Sequence, residues 1–137
     1  MPHAVPEIKA MEMQNIKLPQ KVQFSNGVPL FLINGGVHEV VRLDLLFRGG
    51  YAVQSRPLQA LFTNRMLREG NSVLNAAAVS RKLDSCGAWM ETYSSQNCNH
   101  ITLYTLRRHL PELLKVLAEI VKNPAFPQKN LDVVQGQ

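Results

Sequence analysis

Residues Glu39 to Phe47, EVVRLDLLF, put Val41, Leu43, Leu45 and Phe47 on one side and Arg42 and Asp44 on the other. Successive side chains of an extended chain leave opposite sides of the pleat, so this alternation predicts a strand with one dry face and one wet face. Such a strand needs a covering layer on a single side. A cover is available farther along. Leu110, Leu113, Leu114, Leu117, Ile120 and Val121 recur at helical spacing and predict an amphipathic helix over about 111–122. Each of those side chains contributes roughly 1.5–3 kcal/mol when buried. Both periods within 137 residues point to one mixed α and β domain with a modest core.

The remaining segments fit between these two. KVQF, the turn Ser25 to Gly27, and VPLFLI from Val28 to Ile33 read as a hairpin, because Asn-Gly between apolar runs favours a tight reversal. Asn34 to Gly36 makes the next turn, and Gly49-Gly50 ends the alternating strand. A helix is predicted over about 57–68, with Ser55 as cap, Pro57 in the first turn and Gly70 as stop. A second is predicted over about 76–86, capped by Asn75 and stopped by Gly87, with Val79, Leu83 and Cys86 on its apolar face. AWMETYS and NHITLYTL follow as two strands around the polar turn Ser95 to Asn97. Asn123-Pro124 closes the long helix, and PQKNLDVVQGQ reads as the opening turn of another. The order β-β-β-α-α-β-β-α predicts an α+β fold, with an antiparallel or mixed sheet and helices packed on one face. Residues 1–20, with Pro2, Pro6 and Pro19, read as an extended lead-in.

Composition removes several function classes. Lys plus Arg number 15 against 10 Asp plus Glu, a net charge of +5, but the cations are scattered. Arg81-Lys82 and Arg107-Arg108 are the only adjacent pairs, and no basic stripe interleaves with stacking aromatics, which argues against nucleic acid as partner. No apolar run has the length of a membrane span, and the first residues lack the charge and hydropathy pattern of a secretory signal. The compartment stays open, cytoplasmic or periplasmic. Cys86 and Cys98 form no C-x-x-C pair and read as free thiols, Cys86 as part of a core. His38 opens HEVVR, which begins like H-E-x-x-H, but position 42 is Arg and the segment is a strand. His100 reads as a sheet-surface residue and His109 as a helix-start residue. Phosphate-binding glycine loops and a nucleophile-elbow serine are absent from the sequence. These features yield no catalytic centre.

The succession FSNGVPLFLI, an alternating strand, Gly-Gly, a helix ending in MLREG, then VSRKLDSCGAWMETYSSQNCNHITLYTL and PELLKVLAEIVKNPAFP closely resembles the N-terminal half of a pitrilysin/insulinase-family zinc peptidase domain, a family that includes the mitochondrial processing peptidase subunits. The resemblance covers about residues 21–137. It implies that these residues are the N-terminal portion of such a domain. The unfinished close NLDVVQGQ reads as a native chain that continues or has been trimmed.

In active members the first helix carries H-x-x-E-H just ahead of Met-Leu-x-x-Gly. Setting MLREG on the latter places Leu61 at the first His, Asn64 at the Glu and Arg65 at the second His. Leu61 offers no lone pair, and Arg65 is a permanent cation with donors only. A guanidinium about 4 Å from a dication faces roughly 8 kcal/mol of repulsion at an effective dielectric near 20. Asn64 cannot take a proton from water. The resemblance therefore implies no catalytic residue and no metal in this chain, with zinc expected only in an active partner half. Arg65 as a fixed cation in the metal's place is a further expectation. The family's downstream Glu ligand would fall near or beyond Gln137.

The stretch Ala88, Trp89, Met90, Glu91 and Thr92 falls where active relatives offer a sheet edge to an extended substrate, so peptide binding by strand addition could outlive the loss of zinc. The function implied is a non-catalytic homologue, a structural or substrate-shaping half that pairs with a catalytic half as homo- or hetero-dimer, or with the remainder of its own chain. The alternatives are a working zinc metallopeptidase recruiting Cys98 and His100, and a general peptide-binding module.

Overall fold

A computed structural model describes residues 16–136. Two compact units divide at Val37. In the first, β1 (Gln20–Gln23) and β2 (Pro29–Leu32) form an antiparallel hairpin with Val22 opposite Leu30. Gly27 donates to the Phe24 carbonyl at 2.9 Å, Phe24 donates to the Val28 carbonyl at 3.0 Å, and Asn26 Oδ1 accepts from Val28 N–H at 3.1 Å. This is the Asn-Gly reversal expected from the sequence, with Gly27 at φ +83°. The lead-in expected over residues 1–20 lies largely outside the described residues. Residues 16–19 have no regular structure, and Gln20 already belongs to β1.

The second unit holds β3 (Val40–Arg48), α1 (Gln59–Met66), α2 (Ala76–Ser85), β4 (Trp89–Ser94), β5 (Cys98–Leu106), α3 (Leu110–Lys122) and α4 (Gln128–Gln135). Its sheet is antiparallel, in the order β3-β5-β4. The fold is thus α+β with antiparallel pairing throughout, and the sequence's single sheet is two. The hairpin strands pair only with each other among the described residues.

Register explains the core. Leu43, Leu103 and Met90 stand in one row and Leu45, Ile101 and Thr92 in the next. That face meets Val79, Leu83 and Cys86 of the α2 end and Leu113, Leu117 and Ile120 of α3 in one apolar cluster. Phe47, expected on the covered side, is 39% exposed because it lies beyond this cluster. Opposite is the outer face, where Arg42, Tyr104 and Trp89 align, followed by Asp44, Thr102 and Glu91, then Leu46, His100 and Tyr93. Trp89 is 63% exposed there, so the helical cover is one-sided as the alternation of β3 requires.

The outer face has its own polar pairing. Asp44 receives the Thr102 hydroxyl at 2.7 Å and Arg42 Nε at 2.9 Å. Partial burial pushes the Asp44 carboxyl up, but the Thr102 and Arg42 hydrogen bonds and the Arg42 charge outweigh it and hold the group below its ordinary value. A lowered folded-state value gives stability that is present above the ordinary carboxylate range and is lost as pH falls through the folded value. Asp44→Asn should therefore flatten the acid limb of the stability profile. The change should be small, because both partners are partly exposed. Urea titrations from neutral pH down to the acid limit would show it, and an unchanged acid limb in the variant would refute it.

Candidate functional site: helix α1 against the outer strand of the sheet

α1 begins later than its sequence signals suggest. Ser55 is not its cap. The Gln59 side chain accepts from the Ser55 N–H at 3.1 Å and its hydroxyl at 2.8 Å, and Gln54 Oε1 accepts from Ala60 N–H at 3.3 Å. Leu58 takes the turn into the helix at φ +63°, a strained conformation for a branched side chain. A single 3-10 turn, Leu67–Glu69, follows Met66.

Leu61 is half-buried, Asn64 is 2% exposed and Arg65 is exposed. Asn64 Nδ2 donates to the Tyr93 carbonyl at 2.7 Å and to the His100 carbonyl at 3.2 Å, a pair directly opposed across β4 and β5. Ser94 Oγ donates to the Ala60 carbonyl at 3.0 Å. Asn64 thus fastens the helix to the sheet, and both its amide hydrogens are committed. Its Oδ1 is buried without a protein partner among the described residues. Arg65 takes part in neither ion pair found among the described residues, Arg42–Asp44 and Lys82–Glu112. The guanidinium is exposed rather than clamped, which corrects the expectation of a fixed cation standing in for a metal.

β4 is an outer strand, with no strand beyond it among the described residues. Along it Trp89 and Tyr93 are exposed, Met90 is buried and Thr92 is half-buried. Trp89 Nε1 donates to Glu91 Oε1 at 2.8 Å, which holds the indole over the outer face. Ala88, just before β4, lines a groove of about 250 Å³ with Arg68, Ser80, Asp84 and Trp89. A sheet edge with a side-chain groove next to it is the arrangement that strand addition uses.

Cys98 and His100 do not form a metal set with other ligands among the described residues. The His100 ring stacks on Tyr93 at 4.1 Å, and its Nε2 lies 3.4 Å from Ser95 Oγ. A different trio converges: donor atoms of Cys86, His109 and Glu112 lie within 4.8 Å of one another. Sequence spacing hid it, because Cys86 ends one helix and the other two begin another.

No family-level sequence profile matches the chain, and no curated protein matches it. Its fold does match a crystal structure of the peptidase M16 inactive domain from Pseudomonas fluorescens, with a TM-score of 0.80 and 22% identity over 87% of this chain. The fold is that of an M16 peptidase domain. The resemblance to the pitrilysin/insulinase fold, read from the order of weak motifs, is therefore borne out at the level of architecture. This chain spans 30% of that relative's length. No helix of the described residues is long and apolar enough to cross a membrane.

Proposed function

We propose that the chain is the N-terminal part of a catalytically silent M16 domain, a structural or substrate-shaping half that works beside a zinc-bearing half. The observation that carries this reading is the side-chain content of α1. At the positions of the family's two His and one Glu stand an aliphatic side chain, a buried amide committed to two backbone carbonyls, and an exposed guanidinium. Leu61 and Arg65 offer no lone pair to a dication, an amide oxygen is a poor substitute for an imidazole or carboxylate on zinc, and none of the three can take a proton at neutral pH. The M16 fold and a relative described as an inactive domain support the same reading. The catalytic half is another subunit or the rest of the same protein.

On this reading the outer strand β4, Trp89–Ser94, keeps the task of receiving an extended peptide segment. Trp89 is the only tryptophan, so its emission reports directly on that strand. Titration with a panel of extended, unstructured peptides should shift Trp89 fluorescence and leave every peptide intact, with or without added zinc. Peptides N-methylated along the backbone should lose the shift, since strand addition depends on main-chain N–H groups. Zinc-dependent hydrolysis by the chain alone, abolished by a chelator, would replace this reading with that of a working metallopeptidase.

A further inference from the structure

We propose that Cys86, His109 and Glu112 form a binding site for a thiophilic divalent cation, zinc by chemistry, that clips the end of α2 to the start of α3. The trio lies away from the three α1 positions, and the proposal does not rest on the reading of α1. Three observations carry it. First, one thiol, one imidazole and one carboxylate oxygen lie within 4.8 Å of one another. Tetrahedral zinc with bonds of about 2.0–2.3 Å needs ligand atoms roughly 3.3–3.8 Å apart, so modest side-chain rotation closes the set. Second, the supports are firm. Cys86 is 6% exposed, sits at the C-terminal cap of α2 and donates its backbone N–H to the Leu83 carbonyl at 3.0 Å. The carbonyl end of that helix favours a cation, while the N-terminus of α3 opposes it. Third, among the described residues the Cys86 thiol has only distant partners, Ser85 Oγ at 3.9 Å and Glu112 Oε2 at 4.0 Å.

Two cations now occupy the other donors. Lys82 pairs with Glu112, and Arg108 Nε donates to His109 Nε2 at 3.1 Å. Both side chains are long and reach solvent, so they swing away as the ion enters. The Cys86 S–H proton leaves to solvent as the sulfur–metal bond forms, and water fills the fourth position.

The test uses the full chain and the metal alone. Titration with Co²⁺ should saturate at about one equivalent and give a thiolate-to-cobalt charge-transfer band. Zn²⁺ should displace it and raise the melting temperature. Cys86→Ser should abolish the band. Glu112→Gln and His109→Ala should each weaken binding more than about tenfold. Lys82→Ala should tighten it by about three- to fivefold, by removing a competing surface cation. If Cys86→Ser fails to fold, the two outer variants carry the test, because neither residue belongs to the core cluster. Cobalt bound without a charge-transfer band, or an affinity unchanged in Glu112→Gln and His109→Ala, overturns the assignment.

Discussion

Asn64→Asp is expected to destabilise the protein by about 3 kcal/mol or more at neutral pH, well beyond the effect of Asn64→Ala. The two side chains have nearly the same shape, so packing does not decide the outcome. Polarity does. In the native protein, Nδ2 donates to the carbonyls of Tyr93 and His100 at 2.7 and 3.2 Å, inside a site that is 2% exposed. An ionised carboxylate there faces two carbonyl oxygens with acceptors only. Neither Arg42 nor Lys82 is free to compensate, since both pair elsewhere. The carboxyl should therefore hold its proton to a higher pH than an exposed Asp. A raised folded-state value makes the variant lose stability as pH rises from about 4 through that value. Its deficit against the native protein is thus smallest in acid. Asn64→Ala removes both donors without adding charge and should cost about 1–3 kcal/mol, with little pH dependence. Urea unfolding followed by Trp89 emission across pH measures both. An Asp variant as stable as the native protein at neutral pH would mean that Asn64 does not hold α1 to the sheet. It would also weaken the case against a general base at this position, because a carboxylate would then be tolerated where α1 meets the outer strand.

The sequence showed the elements more clearly than the reasons for their ends. Val41, Leu43 and Leu45 alternate because they lie on an outer strand with one covered face, and period two registers that directly. β5 reads less clearly, since it is central. Thr102 and Thr105 are both buried on it, although they point to opposite faces. Thr102 is sheltered on the outer side by its bond to Asp44 of β3, a partner 58 residues away in sequence. The cap logic failed at α1 because Gln54 accepts the Ala60 N–H, a donor of the helix start, while the Ser55 hydroxyl and N–H themselves donate to Gln59. At α2 the same logic held, with Asn75 Oδ1 accepting from Ala78 N–H at 2.9 Å. The terminal segment forms a full eight-residue helix, α4, where only an opening turn was expected. Its Asn130 side chain donates to Glu69, on the 3-10 turn that follows α1, at 2.8 Å, a long-range contact that local periodicity does not encode. The role of Asn64 is of the same kind. Family register singles out the position, but only the fold shows that its amide is spent on β4 and β5.

Gly50→Ala should cost about 4 kcal/mol and loosen the connection between β3 and α1. Backbone conformation is not the obstacle, because Gly50 has φ −74°, open to any residue. Space is. An added Cβ would lie 2.1 Å from the Ser95 carbonyl oxygen and 2.6 Å from the carbonyl carbon and oxygen of Gln96, all of them backbone atoms. The same loop is fastened there by Tyr51 N–H to the Ser95 carbonyl at 3.0 Å, Ala52 N–H to the Gln96 carbonyl at 2.8 Å, and Gly49 N–H to the Asn97 carbonyl at 3.3 Å. Relief of the clash by about 1 Å pulls on all three. Their loss at roughly 0.5–1.5 kcal/mol each, with overpacking of about 1–3 kcal/mol, sets the estimate. Gly27→Ala is the contrasting case. A Cβ there meets nothing within 4 Å among the described residues, but φ is +83°, so the conformational penalty of about 1 kcal/mol sets the cost. Thermal melts rank the two variants, and hydrogen exchange at the Tyr51 and Ala52 amides locates the damage. Gly50→Ala within about 1 kcal/mol of the native protein, with both amides still protected, would show that the loop can move away without cost. Because Ser95 directly follows β4, a displaced loop should also disturb the outer strand. Gly50→Ala should then weaken the Trp89-reported peptide response, whereas Gly27→Ala leaves it intact.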